Sequence, residues 1–158
     1  MAGRRVRGEQ KTKRPVDTPA QVAIQSIQRT NDQMLNRFSQ LFREYDLTPS
    51  QYNLLGILCS AGQPMSTHEI ARRMDQGQSG MSGILGRLEK QGLITRQRGM
   101  SDQRIIYVEP SKSAGEVLKR LDVPVSELHQ QLIGHLTREE LKELVRLLEK
   151  ARLVTEQP

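Results

Sequence analysis

The stretch that decides the fold reads STHEIARRMDQGQSGMSGILGRLEKQGLITRQRGMSDQRIIYVE from residue 66 to residue 109. Its first half predicts two short helices, over 67–75 and 79–91, because apolar residues recur at helical spacing and Gly92 can end the second helix. A polar turn over 75–78 separates them. The sequence therefore predicts a helix-turn-helix.

The second half of the stretch predicts a β-hairpin. Strands are expected over 93–98 and 104–109, and the polar loop between them contains Gly99. A hairpin in this position is the wing of a winged helix-turn-helix, whose second helix enters a DNA major groove about 12 Å wide. Arg98 and Arg104 lie at the two ends of the loop. Arginines there can reach the minor groove, where the negative potential is enhanced.

Outside this stretch the chain is predicted to be helical. Serine or threonine followed three residues later by glutamine or glutamate is typical of a capped helix start, and the pattern occurs at Thr18…Gln21, Thr48…Gln51, Ser66…Glu69, Ser113…Glu116 and Thr137…Glu140. We expect helices after Thr18, over 49–61, along an apolar seam over 114–132, and over 138–154. Pro124 should kink or break the third of these near Asp122. The predicted fold class is mainly α, with six helices and a small β-hairpin wing.

Length, charge and cysteine content narrow the class of protein. The 158 residues fit one domain, and the net charge of +6 favours a polyanionic partner. Positive charge concentrates in residues 1–17, with six basic and two acidic side chains, and in residues 72–104, with seven and three. One cysteine excludes an internal disulfide and is typical of the reducing cytoplasm. No apolar run reaches the roughly 20 residues that span a bilayer.

The ordered set of motifs resembles the multiple antibiotic resistance regulator (MarR) family. The matching stretches are LTPSQYNLL at 47–55, IA at 70–71, RLEKQGLITR at 87–96, DQR at 102–104 and LTREEL at 136–141. The resemblance covers about residues 20–154. It implies a repressor, less often an activator, that binds a pseudo-palindromic operator as a homodimer. Since many members release DNA when a small molecule binds, a small aromatic or anionic effector is a candidate partner.

The resemblance also implies how the chain is divided. Residues 1–17 are expected to be a disordered basic tail, because they carry many charges and few apolar side chains. Residues 18–158 are expected to form a single winged-helix domain. Within it, residues 48–110 would be the DNA-binding lobe, and residues 18–46 and 111–154 would supply intertwined dimerisation helices.

The candidate DNA-binding residues fall into groups by position. Readers of the base sequence, on the outward face of the second helix, are Gln78, Ser79 and Ser82. Phosphate contacts are expected from basic side chains beside the groove and from the starts of helices: Arg72, Arg73, Arg96, His68, Thr48, Ser50 and Ser66. The wing contributes Arg98 and Arg104. The resemblance makes Arg104 the minor-groove arginine, Asp102 the acid that stabilises the wing, and Arg87 an arginine near the end of the second helix.

The second helix contains an unusual series of glycines. Gly80, Gly83 and Gly86 lie inside it, and each costs about 1 kcal/mol of helix stability relative to alanine. Two interpretations stay open: the glycines allow close packing or reflect drift, or their bare backbone allows a close approach to DNA and the helix orders fully on binding.

Other functions find less support in the sequence. The three histidines show no tight metal-binding pattern, and neither a glycine-rich phosphate loop nor a nucleophile elbow is present, so we expect no cofactor, no metal and no enzyme activity. Cys59 is expected to be a buried structural residue rather than a redox sensor. The polar faces of the helices mix acids with bases, which favours burial in a dimer over binding to a membrane. A sequence-tolerant architectural DNA-binding protein and a winged-helix protein-interaction module remain the alternatives.

Overall fold

The computed structural model describes residues 18–74 and 78–153, apart from the side chains of Gln78 and Ser79. The predicted tail, 1–17, and residues 75–77 of the predicted turn lie outside the described residues. The chain divides into two compact units, one ending at Gln33 and the other beginning at Met34. The described part of the first unit is helical throughout from Pro19.

The described residues form six helices and three strands. The helices are α1 (Pro19–Arg43), α2 (Pro49–Ala61), α3 (Thr67–Arg73), α4 (Gln78–Lys90), α5 (Lys112–Ile133) and α6 (Arg138–Arg152), and the strands are β1 (Met65–Ser66), β2 (Ile94–Arg98) and β3 (Ile106–Pro110). The mainly α fold with a small hairpin is thus confirmed, with ends shifted by one or two residues. Among the helices described, none combines the length and the apolar content needed to cross a membrane.

Side chains cap four helices at the predicted residues. At the start of α2 the N–H of Gln51 donates to Oγ1 of Thr48 at 3.3 Å, and the N–H of Thr48 donates to Oε1 of Gln51 at 2.8 Å. The same reciprocal bonds join Thr18 with Gln21, Ser66 with Glu69, and Thr137 with Glu140. A capping box needs only four consecutive residues, so the sequence pattern alone locates it.

The start of α5 differs from the prediction. Its N-cap is Ser111, whose hydroxyl accepts from the N–H of Ala114 at 3.3 Å, and not Ser113. The N–H of Ser111 also donates to the carbonyl of Leu93 at 2.9 Å, which extends the pairing of β2 with β3 by one residue. The hairpin therefore decides where α5 begins, and it does so two residues earlier than the sequence pattern indicates.

Helix α5 also runs through Pro124, so the helix does not break near Asp122, while the alternative of a kink there stays a prediction. A proline inside a helix costs about 3 kcal/mol because it lacks an N–H and crowds the preceding turn. On both sides of it, Leu121, Val125 and Leu128 are buried. Burial of side chains of this size contributes about 1.5–3 kcal/mol each, which is enough to offset the proline.

The sheet contains a strand that the sequence did not predict. Its order is β1-β3-β2 and all pairs are antiparallel, with Met65 opposite Val108 on one side of β3 and Arg96 opposite Val108 on the other. Strand β1 has two residues, which is too short to show an alternating pattern. It attaches the start of α3 to the base of the wing.

The core of the second unit is aliphatic, as the composition predicts. The large side chains that are most completely buried are Leu54, Leu55, Leu58, Ile70, Leu88, Ile94, Val108 and Leu121. They come from α2, α3, α4, α5 and the sheet, so the core lies directly beneath the helix-turn-helix and the wing. This packing fixes which faces of α3 and α4 remain exposed.

Candidate nucleic-acid interface

Helix α4 buries one face and exposes the other. Met81, Leu85 and Leu88 are each at most 2% exposed and lie at helical spacing on the core side. Ser82 and Arg87 are exposed. Gln78 and Ser79 lie in the first turn of α4, but their side chains fall outside the described part of the structure. Of the three residues predicted to read bases, Ser82 therefore lies on the exposed face of α4.

Two of the α4 glycines are not explained by packing within the chain. A Cβ added at Gly83 or at Gly86 would meet no atom within 4 Å other than the backbone of its own helical turns. At these two positions an alanine would fit and would favour the helix by about 1 kcal/mol. The result counts against close packing within the protomer as the reason for these glycines.

The wing loop is closed by its own hydrogen bonds. Oδ1 of Asp102 accepts from the N–H of Arg104 at 2.9 Å, and its carbonyl accepts from the N–H of Ile105 at 3.1 Å. The N–H of Gly99 donates to the carbonyl of Ile105 at 2.9 Å. A Cβ at Gly99 would lie 2.7 Å from the carbonyl oxygen of Asp102, so the loop requires glycine there.

The side chains of the wing arginines lie at the surface. Arg98 ends β2 and Arg104 follows the loop, and both residues are exposed. The hydrogen bond from Arg104 to Asp102 uses its backbone N–H, which leaves its guanidinium out of this contact. The wing therefore holds two arginines on a short hairpin whose shape is set by backbone bonds.

Arg96 makes a contact that the sequence does not predict. Its Nε donates to Oε2 of Glu89 at 2.8 Å, and its Nη2 donates to the same oxygen. This bond lowers the pKa of the Glu89 carboxyl and raises the pKa of Arg96. The pair joins the last turn of α4 to β2. The only sign of this pair in the sequence is that Glu89 and Arg96 carry opposite charges and lie seven residues apart, on either side of Gly92.

A small groove brings two candidate residues together. It has a volume of about 190 Å³ and lies where α3, α4 and the sheet meet, lined by Thr67, Met81, Ser82, Leu85, Arg96 and Ile106. Ser82 and the paired Arg96 thus share one surface. Arg72 and Arg73 are exposed in the last turn of α3, and His68 is exposed in its first turn.

Two of the three helix-start candidates, Thr48 and Ser66, already have partners. The hydroxyls of Thr48 and Ser66 accept from the N–H groups of Gln51 and Glu69 within their own capping boxes. Bonds from the backbone and side chain of Ser66 lower the pKa of the Glu69 carboxyl. Ser50 is half-buried in the first turn of α2. The hydroxyls of Thr48 and Ser66 therefore stabilise the starts of α2 and α3.

Cys59 is half-buried rather than fully buried, and it packs against the core. Burial raises the pKa of its thiol. A raised pKa decreases the fraction of reactive thiolate at neutral pH. This agrees with a structural role for Cys59.

Comparisons with a family model, with relatives in sequence and with solved structures agree on one protein family. A model of the MarR family matches residues 45–105. A MarR transcription factor from Planctomyces limnophilus is 32% identical in sequence, and the match covers 85% of this chain and 98% of that protein with a TM-score of 0.68. The homoprotocatechuate degradative operon repressor of Escherichia coli is 28% identical over 116 residues, which are 73% of this chain and 78% of the repressor.

A third protein is similar in fold. It is a mutant of Escherichia coli MarR in complex with operator DNA, 22% identical, with 84% of this chain and 93% of that chain covered and a TM-score of 0.71. The match to the Planctomyces protein spans almost that whole molecule. This chain therefore belongs to the MarR family of transcription regulators.

Proposed function

We propose that this regulator binds double-stranded DNA as a homodimer, recognises a pseudo-palindromic operator and represses transcription from it. The observation that carries the proposal is the exposed face of α4, with Ser82 and Gly83, next to a wing that exposes Arg98 and Arg104. A helix with small and hydrogen-bonding outward residues suits the major groove, and arginines on a hairpin suit the narrower minor groove. The related protein in complex with operator DNA supports this use of the fold.

The cations of the interface divide into two roles. Arg72, Arg73 and Arg87 are exposed at the ends of α3 and α4, where they would neutralise phosphates. Arg96 is paired with Glu89, so its main role would be to hold α4 against the wing. Gln78, Ser79 and Ser82 stay the proposed readers of base edges, while Thr48, Ser50, Ser66 and His68 stay proposed contacts to the phosphate backbone.

The homodimer is supported by an uncovered helix. Helix α6 buries none of its residues, and its apolar side chains Leu144, Val145, Leu147 and Leu148 are between 37% and 54% exposed. A row of exposed apolar side chains on one helix favours contact with a protein surface. A second copy would cover it. Two lobes, each residues 48–110, would then place α4 in successive major grooves about 34 Å apart, with 18–46 and 111–154 as the dimerisation helices.

A regulator of this kind acts on chromosomal DNA, so we propose a cytoplasmic location and no enzyme activity. The small aromatic or anionic effector stays a prediction. The surface groove of about 250 Å³ between α1 and α5 is lined by Arg37 together with Glu44 and Glu127. With one basic and two acidic side chains, its charge does not favour an anion.

Selection from random DNA tests the proposal. The full chain is incubated with a pool of random duplexes, bound DNA is sequenced, and the mass of the complex is measured by analytical ultracentrifugation. We expect an inverted repeat to be enriched and two chains to bind each duplex. Transcription in vitro from a promoter that overlaps the enriched site should decrease. An increase would make the protein an activator.

Two other outcomes would contradict the proposal. DNA binding with a steep salt dependence but without an enriched sequence would favour an architectural protein. Absence of binding at low salt, for a folded protein, would favour a protein-interaction module.

A further inference from the structure

The corner between α1 and α2, residues 44–48, contains an unfavourable backbone conformation. Asp46 has a φ of 56°, in the left-handed region, and it is the only such non-glycine residue among those the structure describes. This region costs an L-residue other than glycine roughly 1–2 kcal/mol. The N–H of Leu47 donates to the carbonyl of Phe42 at 3.0 Å, and Leu47 is 4% exposed. The buried Leu47 and its hydrogen bond to Phe42 therefore stabilise the corner.

The carbonyl of Asp46 is used by the end of α4. Nε2 of Gln91 donates to it at 2.7 Å, across 45 residues of sequence. Gln91 follows the last residue of α4 and precedes Gly92, whose φ of 69° turns the chain into β2. The bond thus joins the C-terminal end of α4 to the corner.

The same corner also contacts α5. The guanidinium carbon of Arg120 lies 5.4 Å from the centre of the Tyr45 ring, which is within the range of a cation–π interaction. The corner therefore contacts two other helices, α5 through Tyr45 and the end of α4 through Asp46. A surface hollow lined by Tyr45, Asp46, Gln91, Leu93 and Val117 lies beside the second contact. The hydrogen bond at the edge of this hollow directly connects the corner with the residue that follows α4.

We infer that Gln91 is a positioning residue for DNA binding, which holds α4 at a set position relative to α5 and to the C-terminal part of α1 (34–43) through the carbonyl of Asp46. The inference rests on the proposed function. In a dimer built on α1, α5 and α6, the position of α4 relative to these helices determines the distance between the two α4 helices. The pair of Glu89 with Arg96 cannot do this, because it joins α4 only to the adjacent β2. Gln91 thereby limits which half-site spacing the protein accepts.

The experiment compares Gln91→Met, which keeps the length of the side chain and removes the donor, with wild type. The control is Gln63→Met, the same change at an exposed glutamine in the loop before β1. Affinity is measured for the operator selected with the full chain and for the same operator with one or two base pairs inserted at its centre. Urea unfolding of each variant is measured in parallel.

We expect Gln91→Met to bind the selected operator about three-fold more weakly, in line with the loss of one exposed hydrogen bond. We also expect it to discriminate at least three-fold less between the selected and the lengthened operators. Gln63→Met should match wild type in both measurements. A residue that only stabilises the fold would decrease affinity for all operators by the same factor.

The outcomes separate the inference from the proposed function. If an operator is enriched and the discrimination ratio of Gln91→Met equals that of wild type, the positioning role is overturned and the proposed function stands. If no sequence is enriched, both are overturned.

Discussion

Arg96 of β2 donates two N–H groups to a single carboxylate oxygen of Glu89, one residue before the end of α4. The two side chains are 31% and 39% exposed, so this contact lies at the protein surface. It connects the helix proposed to enter the major groove with the strand that leads to the wing tip. The relative position of the two DNA-binding elements therefore depends in part on one ion pair.

Replacing Glu89 should reduce the loss of folding stability that occurs when the pH falls from 7 to 3. The bond from Arg96 lowers the pKa of Glu89 in the folded state. Its stabilising effect is then complete above the unfolded value, about 4.3, and is lost as the pH falls through the lower folded value. We expect the urea midpoint of Glu89→Gln to lie below that of wild type at pH 7 and to approach it near pH 3. Glu127→Gln, at an exposed carboxylate of α5, is the control. A difference that stays constant from pH 7 to pH 3 would contradict the assignment.

Replacing Arg104 should weaken DNA binding without unfolding the protein. Its guanidinium is exposed, and only its backbone N–H contributes to the wing loop. We expect Arg104→Ala to decrease operator affinity about ten-fold at physiological salt and to reduce the salt slope by about one. The melting temperature should not change. Arg138→Ala, on α6, is the matched control, and an Arg104→Ala protein that binds like wild type would remove Arg104 from the interface.

Replacing Gly83 should affect stability and DNA binding in opposite directions. Because a Cβ at Gly83 meets no atom within 4 Å, Gly83→Ala should stabilise α4 by about 1 kcal/mol. The same methyl group would stand on the face proposed to approach DNA, so operator affinity should fall. Gly115→Ala in α5, where a Cβ also meets no atom, should stabilise the protein and leave affinity unchanged. Unchanged affinity for Gly83→Ala would show that the bare backbone has no role in binding.

Replacing Gly99 should distort the wing. An alanine Cβ would lie 2.7 Å from the carbonyl oxygen of Asp102 and 3.2 Å from Cε2 of Tyr107, so the loop must move. We expect Gly99→Ala to decrease operator affinity, and amide exchange to increase at residues 99–105. Exchange over α2 should stay as in wild type, since the core is not touched. Equal exchange at the loop in both proteins would mean that the wing accommodates the methyl group without moving.

The sequence was sufficient to predict which side chains of the interface are exposed, but not which of them contact one another. The exposed Ser82, Arg87, Arg98 and Arg104 follow from the period of the apolar residues, which determines which face of a helix or hairpin is free. The partner of Arg96 could not be found this way, because the distance between Glu89 and Arg96 depends on how the chain turns at Gly92. Arg96, whose phosphate contact stays a prediction, also links two elements of the fold.

Local chemistry in the sequence was sufficient to place α2, α3 and α6, because their capping boxes and apolar faces involve residues within a few positions of one another. Family membership could likewise be expected from the order of short motifs. Tertiary structure alone decided that β1 pairs with β3, that α5 starts at Ser111 and continues through Pro124, and that Gln91 bonds to Asp46. Each of these depends on free energy from residues far apart in the chain, which no local pattern records.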